Sequence, residues 1–368
     1  MLSVESKVKI IKIVMKNYKF IADHFRVSLL VICAVLFAVQ NFFACGNKET
    51  KDNNQGDKKL KVGLVFDVGG RGDKSFNDAA FKGLEKAQKE LGIQFEVIDP
   101  GDGADRESAL RKLASKPDIG IIFGVGFIFT DDITRIAEEF PDKKFGCVDY
   151  TITPQNFSEK TIPSNLTALV FKEDEGSFLV GAIAGLTTKT NKVGFIGGME
   201  SGIIKKFENG YKNGVMYVNP ECKVLSAYVS VTGEGFKNPG KGKEIATSQY
   251  SNGADIIYHA SGLSGIGMFE AAREFKKFGI GVDMDQWNEA EGYVLTSMTK
   301  IVDEVIYQTI KDFKENKFTG GIRSLGLKEK GVDYIYDDNN KSLITPTVRE
   351  KTEQIRDKII KGEIKTTQ

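Results

Sequence analysis

A chain of 368 residues has room for about two domains of roughly 100–200 residues each. Its 41% hydrophobic and 27% charged content fits a globular protein that can fill a real core. A net charge of +1 excludes the basic footprint of a nucleic-acid binder.

In chain order, the first segment differs in kind from the rest. Lys7, Lys9, Lys12, Lys16, Lys19 and Arg26 precede the uncharged run VSLLVICAVLFAV at 27–39. That run is shorter than the about 20 residues a transmembrane helix needs, and it suits the apolar part of a secretory signal. It ends in NFFACGNKET, a small residue followed by cysteine. The pattern resembles a lipoprotein signal over 1–44, cleaved before Cys45, whose thiol then carries the lipid (palmitate). Phe42 stands where leucine is more usual, the basic segment is long, and Met15 is an alternative start. GNKETKDNNQGDKK has no apolar side chain, so 45–59 reads as a flexible tether with a reach of about 20 Å. A soluble domain held beside a membrane, outside the cytoplasm, is the expectation.

From residue 60 short apolar runs alternate with amphipathic segments. LKVGLVFD, QFEVID, IGIIFGVG and KFGCVD read as strands, continuously apolar as in a parallel sheet covered on both faces. Between them, Ala80, Leu84, Ala87 and Leu91 share one helical face, and Ile133, Ile136, Ala137 and Phe140 another. After TITPQNFSEKTIPSN a second series runs through KVGFIGG, KVLSAYVS, ADIIYHAS, IGVDMD and YVLTSMTK, then IVDEVIYQTIKDF and a terminal helix. The fold class expected is α/β, two doubly wound parallel-sheet lobes, whose ligands bind beyond the carboxyl ends of the strands.

Those strand ends carry the polar groups. The loop FDVGGRGDKSFN has neither GxGxxG nor GxxxxGK[ST] spacing, and Asp73 stands where a phosphate loop needs glycine. It offers Asp67 at a strand end, then Ser75, Phe76 and Asn77 at a helix start. Ser75 or Asn77 suits a helix cap, whereas Phe76 at a loop tip beside Asp and Asn suits a flat polar ring. Other strand ends bring the FGVGF turn, Asp149, Met199 after Gly197 and Gly198, the amides of ASGLSGIG, Asp283 with Asp285, and Lys300. Phe236, in TGEGFKNPGKG, serves equally as local packing or as a second stacking face.

No metal site is expected, since Asp283 and Asp285 are too few and no histidine stands near them. His259, inside IIYHAS, reads as a satisfied core group; Cys147 and Cys222, neither in a CxxC, read as buried thiols. There is no GxSxG, HExxH or Cys–His pairing, so no catalytic residue and no cofactor are assigned. A Ser–Lys or carboxylate-based enzyme is the chemical rival to a binder.

Taken together, FDVGGRGDKSFN, FPDKKFGCVDY, EDEGSFLVGAIAG, VGFIGGMESG, GLSGIG, IGVDMDQ and VLTSMTK make the chain resemble the basic membrane lipoprotein family over about residues 60–330. That family includes the purine nucleoside receptors of ABC-type importers. The resemblance implies a type I periplasmic-binding-protein fold with two Rossmann-like lobes and a nucleoside in the cleft. It implies a first lobe of 60–167 plus about 292–320, and a second of 168–291 plus about 321–368. Carried over, Phe76 stacks on the purine beside Ser75; Asp67, Asn77 and Asp149 face its polar edge or neighbouring groups. Asp283 and Lys300 take the ribose hydroxyls, Gly262 and Met199 line the pocket, and Phe236 is the opposing stacking face. The implied partners are a nucleoside (adenosine, guanosine or inosine), ABC permease and ATPase subunits, and a membrane through Cys45. A sensor or adhesin on the same fold is the alternative.

Overall fold

A computed structural model describes residues 60–101, 105–152 and 162–367; the expected signal, tether and Cys45 lie outside these residues. Two α/β lobes are each built on a six-stranded sheet. In the first lobe β1 (Lys61–Val65), β2 (Gln94–Ile98), β3 (Ile119–Val125), β4 (Lys144–Val148) and β5 (Leu166–Phe171) are joined by β11 (Gly321–Leu325). Their order is β11-β5-β4-β3-β1-β2, parallel throughout. The strands of the second sheet are β6 (Lys192–Met199), β7 (Lys223–Ser230), β8 (Ile256–Ala260), β9 (Phe278–Asp283), β10 (Val294–Lys300) and β12 (Val332–Tyr334). Their order is β12-β10-β9-β8-β6-β7. Only the pairing of β10 with β12 is antiparallel.

Helices α1 (Phe76–Leu91), α2 (Arg106–Ala114), α3 (Thr130–Glu139) and α8 (Val302–Lys314) clothe the first sheet. Helices α4 (Glu173–Thr187), α5 (Gly202–Val218), α6 (Pro239–Ser251), α7 (Gly265–Phe275) and α9 (Pro346–Ile360) clothe the second. The apolar periodicity accounts for the packing. Ala80, Leu84 and Ala87 of α1 are buried, as are Ile133, Ile136 and Ala137 of α3. Strands β1 and β3 are apolar on both faces because helices cover both: Val62, Leu64, Ile121 and Phe123 are buried in one cluster, Val65 and Ile122 in another.

The lobe boundaries differ from the expected ones. Strand β5 reaches Phe171 within the first sheet, β10 belongs to the second sheet and β11 returns to the first. The chain thus crosses between lobes after β5, after β10 and after β11. A strand of five to seven residues carries little in its own sequence that assigns it to one sheet or the other. What decides is the partner it meets: β11 lies parallel to β5, and Lys172 N donates to Leu325 O at 3.0 Å where these two strands leave the sheet.

The segment EDEGSFLVGAIAG forms α4, apolar nearly all round, and packs against α5 through glycines one turn apart. A Cβ on Gly181 would stand 2.2 Å from Tyr211 O, one on Gly210 2.4 Å from Asp174 O, and one on Gly214 2.0 Å from Phe178 O. Gly214→Ala gains about 1 kcal/mol of helix propensity, but an added methyl in a tight interface costs about 1–3 kcal/mol or more. The clash here is with a carbonyl that cannot rotate away. We expect a net loss of about 2 kcal/mol in urea unfolding of the domain; an unchanged or raised midpoint would refute this packing.

Candidate functional site

The carboxyl ends of both sheets meet at one cleft, which encloses about 500 Å³ of space not filled by atoms, solvent at its mouth included. The first lobe lines it with Asp67 and Val68 beyond β1, Phe76 and Asn77 of α1, Phe127 beyond β3 and Asp149 beyond β4. The second lobe contributes Phe207 of α5, Phe236, Gly262, Asp283 and Lys300.

The loop after β1 resolves its own question. Asp73, 1% exposed, caps α1: Oδ1 accepts from Ser75 N (3.0 Å) and Asp78 N (3.1 Å), and Oδ2 from Asn77 N (2.8 Å). Its carboxylate already takes the helix amides that a phosphate would need, so the loop is no phosphate cradle. Burial pushes Asp73 up to about 6, against the pull of those amides. Neither Ser75 nor Asn77 makes the cap by its side chain. Asn77 Oδ1 accepts from Asp67 N at 2.9 Å and its amide donates to Asp73 at 3.1 Å, so it braces the loop while lining the cleft.

Ser75 is fully buried and turns across the cleft, where its hydroxyl donates to Asp283 Oδ2 at 2.6 Å. It is not among the residues lining the cavity, and neither is Met199, which ends β6 half-buried. Phe236 sits on a one-turn 3-10 helix, Gly233–Phe236, with its ring over Gly198. A Cβ on Gly198 would lie 2.3 Å from that ring, so the glycine makes room for it. Each lobe therefore places an aromatic side chain in the cleft, Phe76 and Phe127 from one, Phe207 and Phe236 from the other.

Lys300 joins the lobes. Its Nζ donates to both carboxylate oxygens of Asp149 at 2.7 Å and lies 4.9 Å from the Phe76 and Phe171 ring centres. Burial alone would lower Lys300, but Asp149, Glu173 and Asp283 outweigh it and hold the ammonium above its usual range. Asp67 is pushed up to about 7, first by burial and further by Asp149 and Asp73, although Val68 N opposes this at 2.7 Å. Asp283 is likewise raised by burial, with Lys300 and Ser75 pulling back. Asp149 and Asp283 adopt φ of 62° and 66°, a left-handed backbone uncommon for non-glycine residues.

A third contact between lobes runs through Gln286, whose Nε2 donates to Lys74 O at 3.0 Å. Its Oε1 accepts from Val282 N and faces His259 Nε2 at 2.9 Å. His259 is wholly buried and burial lowers it to about 4, so it braces the loop as a neutral ring. Asp285 is exposed and accepts from Trp287 N at 3.0 Å, outside the residues that line the cleft. Cys147 and Cys222 are free buried thiols. Among the described residues no group of three or more His, Cys, Asp or Glu is placed to hold a metal, and no helix is long and apolar enough to cross a membrane.

Sequence reasoning did not assign Asp73 as the cap, nor Ile203, Ile204 and Phe207 as cleft walls. The signal for the latter was present: GIIKKF opens a helix straight after a glycine-rich strand end, which puts its apolar residues beside the cleft as well as on the core.

The family described as ABC transporter substrate-binding protein PnrA-like (Bmp) matches residues 60–368. Basic membrane protein A of Borreliella burgdorferi is 34% identical over 340 residues, 91% of this chain and 94% of that protein. An uncharacterized lipoprotein of Pyrococcus abyssi is 34% identical over 302 residues, 78% of this chain and 71% of that protein. Among solved structures, an ABC transporter system solute-binding protein from Aeropyrum pernix K1 superposes with a TM-score of 0.75 at 29% identity, covering 83% of this chain and 92% of that one.

Proposed function

Because the chain belongs to the PnrA-like family of ABC transporter substrate-binding proteins, we propose that its cleft captures a purine nucleoside for import. The observation that carries this reading is the pairing of cleft aromatics from both lobes with a buried Lys300–Asp149 bridge and a second strand-end carboxylate, Asp283. A nucleoside has a flat face, a hydrogen-bonding rim and a diol. Phe76 and Phe236 sandwich the base, Asp67 and Asn77 meet its edge, and Asp283 and Lys300 take the ribose hydroxyls. Stacking contributes about 0.5–1.5 kcal/mol beyond area burial, and each charge-assisted hydrogen bond about 1.5–3 kcal/mol. Together these support micromolar binding, about −8 kcal/mol. The excess of carboxylates disfavours phosphorylated forms. Cys45 carries the lipid that keeps the domain at the membrane beside the permease and ATPase subunits that receive the ligand.

Calorimetric titration of the soluble domain, unfolded and refolded to strip bound ligand, tests the reading. The panel is adenosine, guanosine, inosine, uridine, ribose and inosine monophosphate. Tight binding of purine nucleosides, with ribose and the monophosphate weak, is expected. Silence of folded protein across the panel would overturn it.

A further inference from the structure

We propose that Glu173, which no cleft ligand would touch, is the positioning residue of this site: it shares Lys300 with Asp149 and so sets how firmly the lobes close. The proposal rests on the nucleoside reading above for its ligand, but on the hinge geometry for its substance. Glu173 opens α4, immediately beyond the crossing from β5, and Lys300 ends β10, immediately before the crossing into α8. Both side chains are 1% exposed, and Glu173 Oε1 lies 3.7 Å from Lys300 Nζ. Glu173 is absent from the residues that line the cavity, so it stands behind Lys300.

One ammonium therefore serves two carboxylates on different lobes, Asp149 at the end of a first-lobe strand and Glu173 at the root of a second-lobe helix. Asp283 is a third buried carboxylate within the field of Lys300. With all three ionised around a single buried ammonium, charge would be left uncompensated, which is costly in a site removed from water. A proton relieves this, and Glu173 is the group placed to hold it. Burial pushes it up to about 7; Lys300 on β10 and the half-exposed Lys206 on α5 (3.4 Å) pull it down, and Asp149 on β4 pushes it up. The Tyr258 hydroxyl on β8, itself raised far by burial, also faces it.

Closure brings Asp149 against Lys300; opening withdraws it and leaves Lys300 to Glu173. Glu173 thus holds its proton more strongly in the closed form than in the open one. A group raised in the closed form favours closure at acid pH and withdraws that support as pH rises through about 7. Nucleoside capture is tightened by mild acid and relaxed above neutrality.

The test compares wild type, Glu173→Gln and Lys206→Met, by inosine titration and by melting without ligand, from about pH 5.5 to about pH 8.5. Asp67 titrates in all three, so ratios to wild type isolate Glu173. The ratio of wild-type to Glu173→Gln affinity is expected to fall about three- to tenfold from acid to alkaline pH. Lys206→Met, changed at a half-exposed lysine whose ammonium lies 3.4 Å from Glu173, is expected to shift the wild-type midpoint upward. The unliganded melting difference between wild type and Glu173→Gln should also vary through neutrality. Flat ratios and flat melting differences, with Lys206→Met superposing on wild type, would overturn the proposal. Absence of inosine binding with pH-dependent melting differences would instead remove the nucleoside and leave the Glu173–Lys300 coupling standing.

Discussion

Phe76→Ala is expected to weaken purine nucleoside binding by about 30- to 1,000-fold while leaving thermal unfolding close to wild type. The ring lies at the first position of α1, half-buried, lining the cavity, with Lys300 Nζ 4.9 Å from its centre. Truncation removes a stacking face and the apolar area it covers, about 2–4 kcal/mol in a half-buried setting, at tenfold per about 1.4 kcal/mol. Stability is spared because alanine is a good helix former and the cap is made by Asp73, not by this residue. Calorimetry with inosine, beside melting of the same preparation, measures both. An affinity within about threefold of wild type would remove Phe76 from the site.

Lys300→Met carries the second large effect, on stability as well as binding. It strips Asp149 of two hydrogen bonds at 2.7 Å and leaves Glu173 and Asp283 buried without their common cation. Removing one partner from a buried pair costs about 3–5 kcal/mol. The cost depends on pH. Glu173 and Asp283 are already held above the carboxylate range by burial, and Lys300 is what pulls both back. Without it they rise further. A group whose folded value is raised loses stability as pH climbs through that value, so the variant is weakest in alkali and recovers on acidification. Urea unfolding at about pH 5.5 and about pH 8 should show a deficit smaller in acid by about 1–2 kcal/mol. Equal deficits at the two would mean that packing alone, and no charge imbalance, explains the loss.

Both variants follow from residues singled out in the sequence, yet the pairings those residues make were not legible there. FDVGGRGDKSFN marked a ligand mouth because its glycines break the phosphate-loop spacing and because an aromatic sits at a loop tip. Local pattern does not distinguish Asp73, Ser75 and Asn77, three polar residues within one loop. Asp73 proves to be the cap, Asn77 a brace and Ser75 a contact with Asp283, 208 residues further along. A side chain's hydrogen-bond partner is set by what stands opposite it, and here that lies on another lobe.

The same division runs through the whole molecule. The sequence by itself determined most of the strands and helices of both lobes, though not β5, β11 or α2, through continuous apolar runs and 3.6-residue periodicity, and it placed the polar residues at strand ends. These signals are local, so they are readable locally. Only the tertiary structure decided which sheet β5, β10 and β11 join, since nothing within so short a strand names its partner. It also decided that Lys300 is shared by Asp149 and Glu173, residues 151 and 127 positions away. Charges so far apart in the chain interact only after three crossings fold the hinge, and the energy of a buried charge depends on that final company, not on its neighbours in sequence.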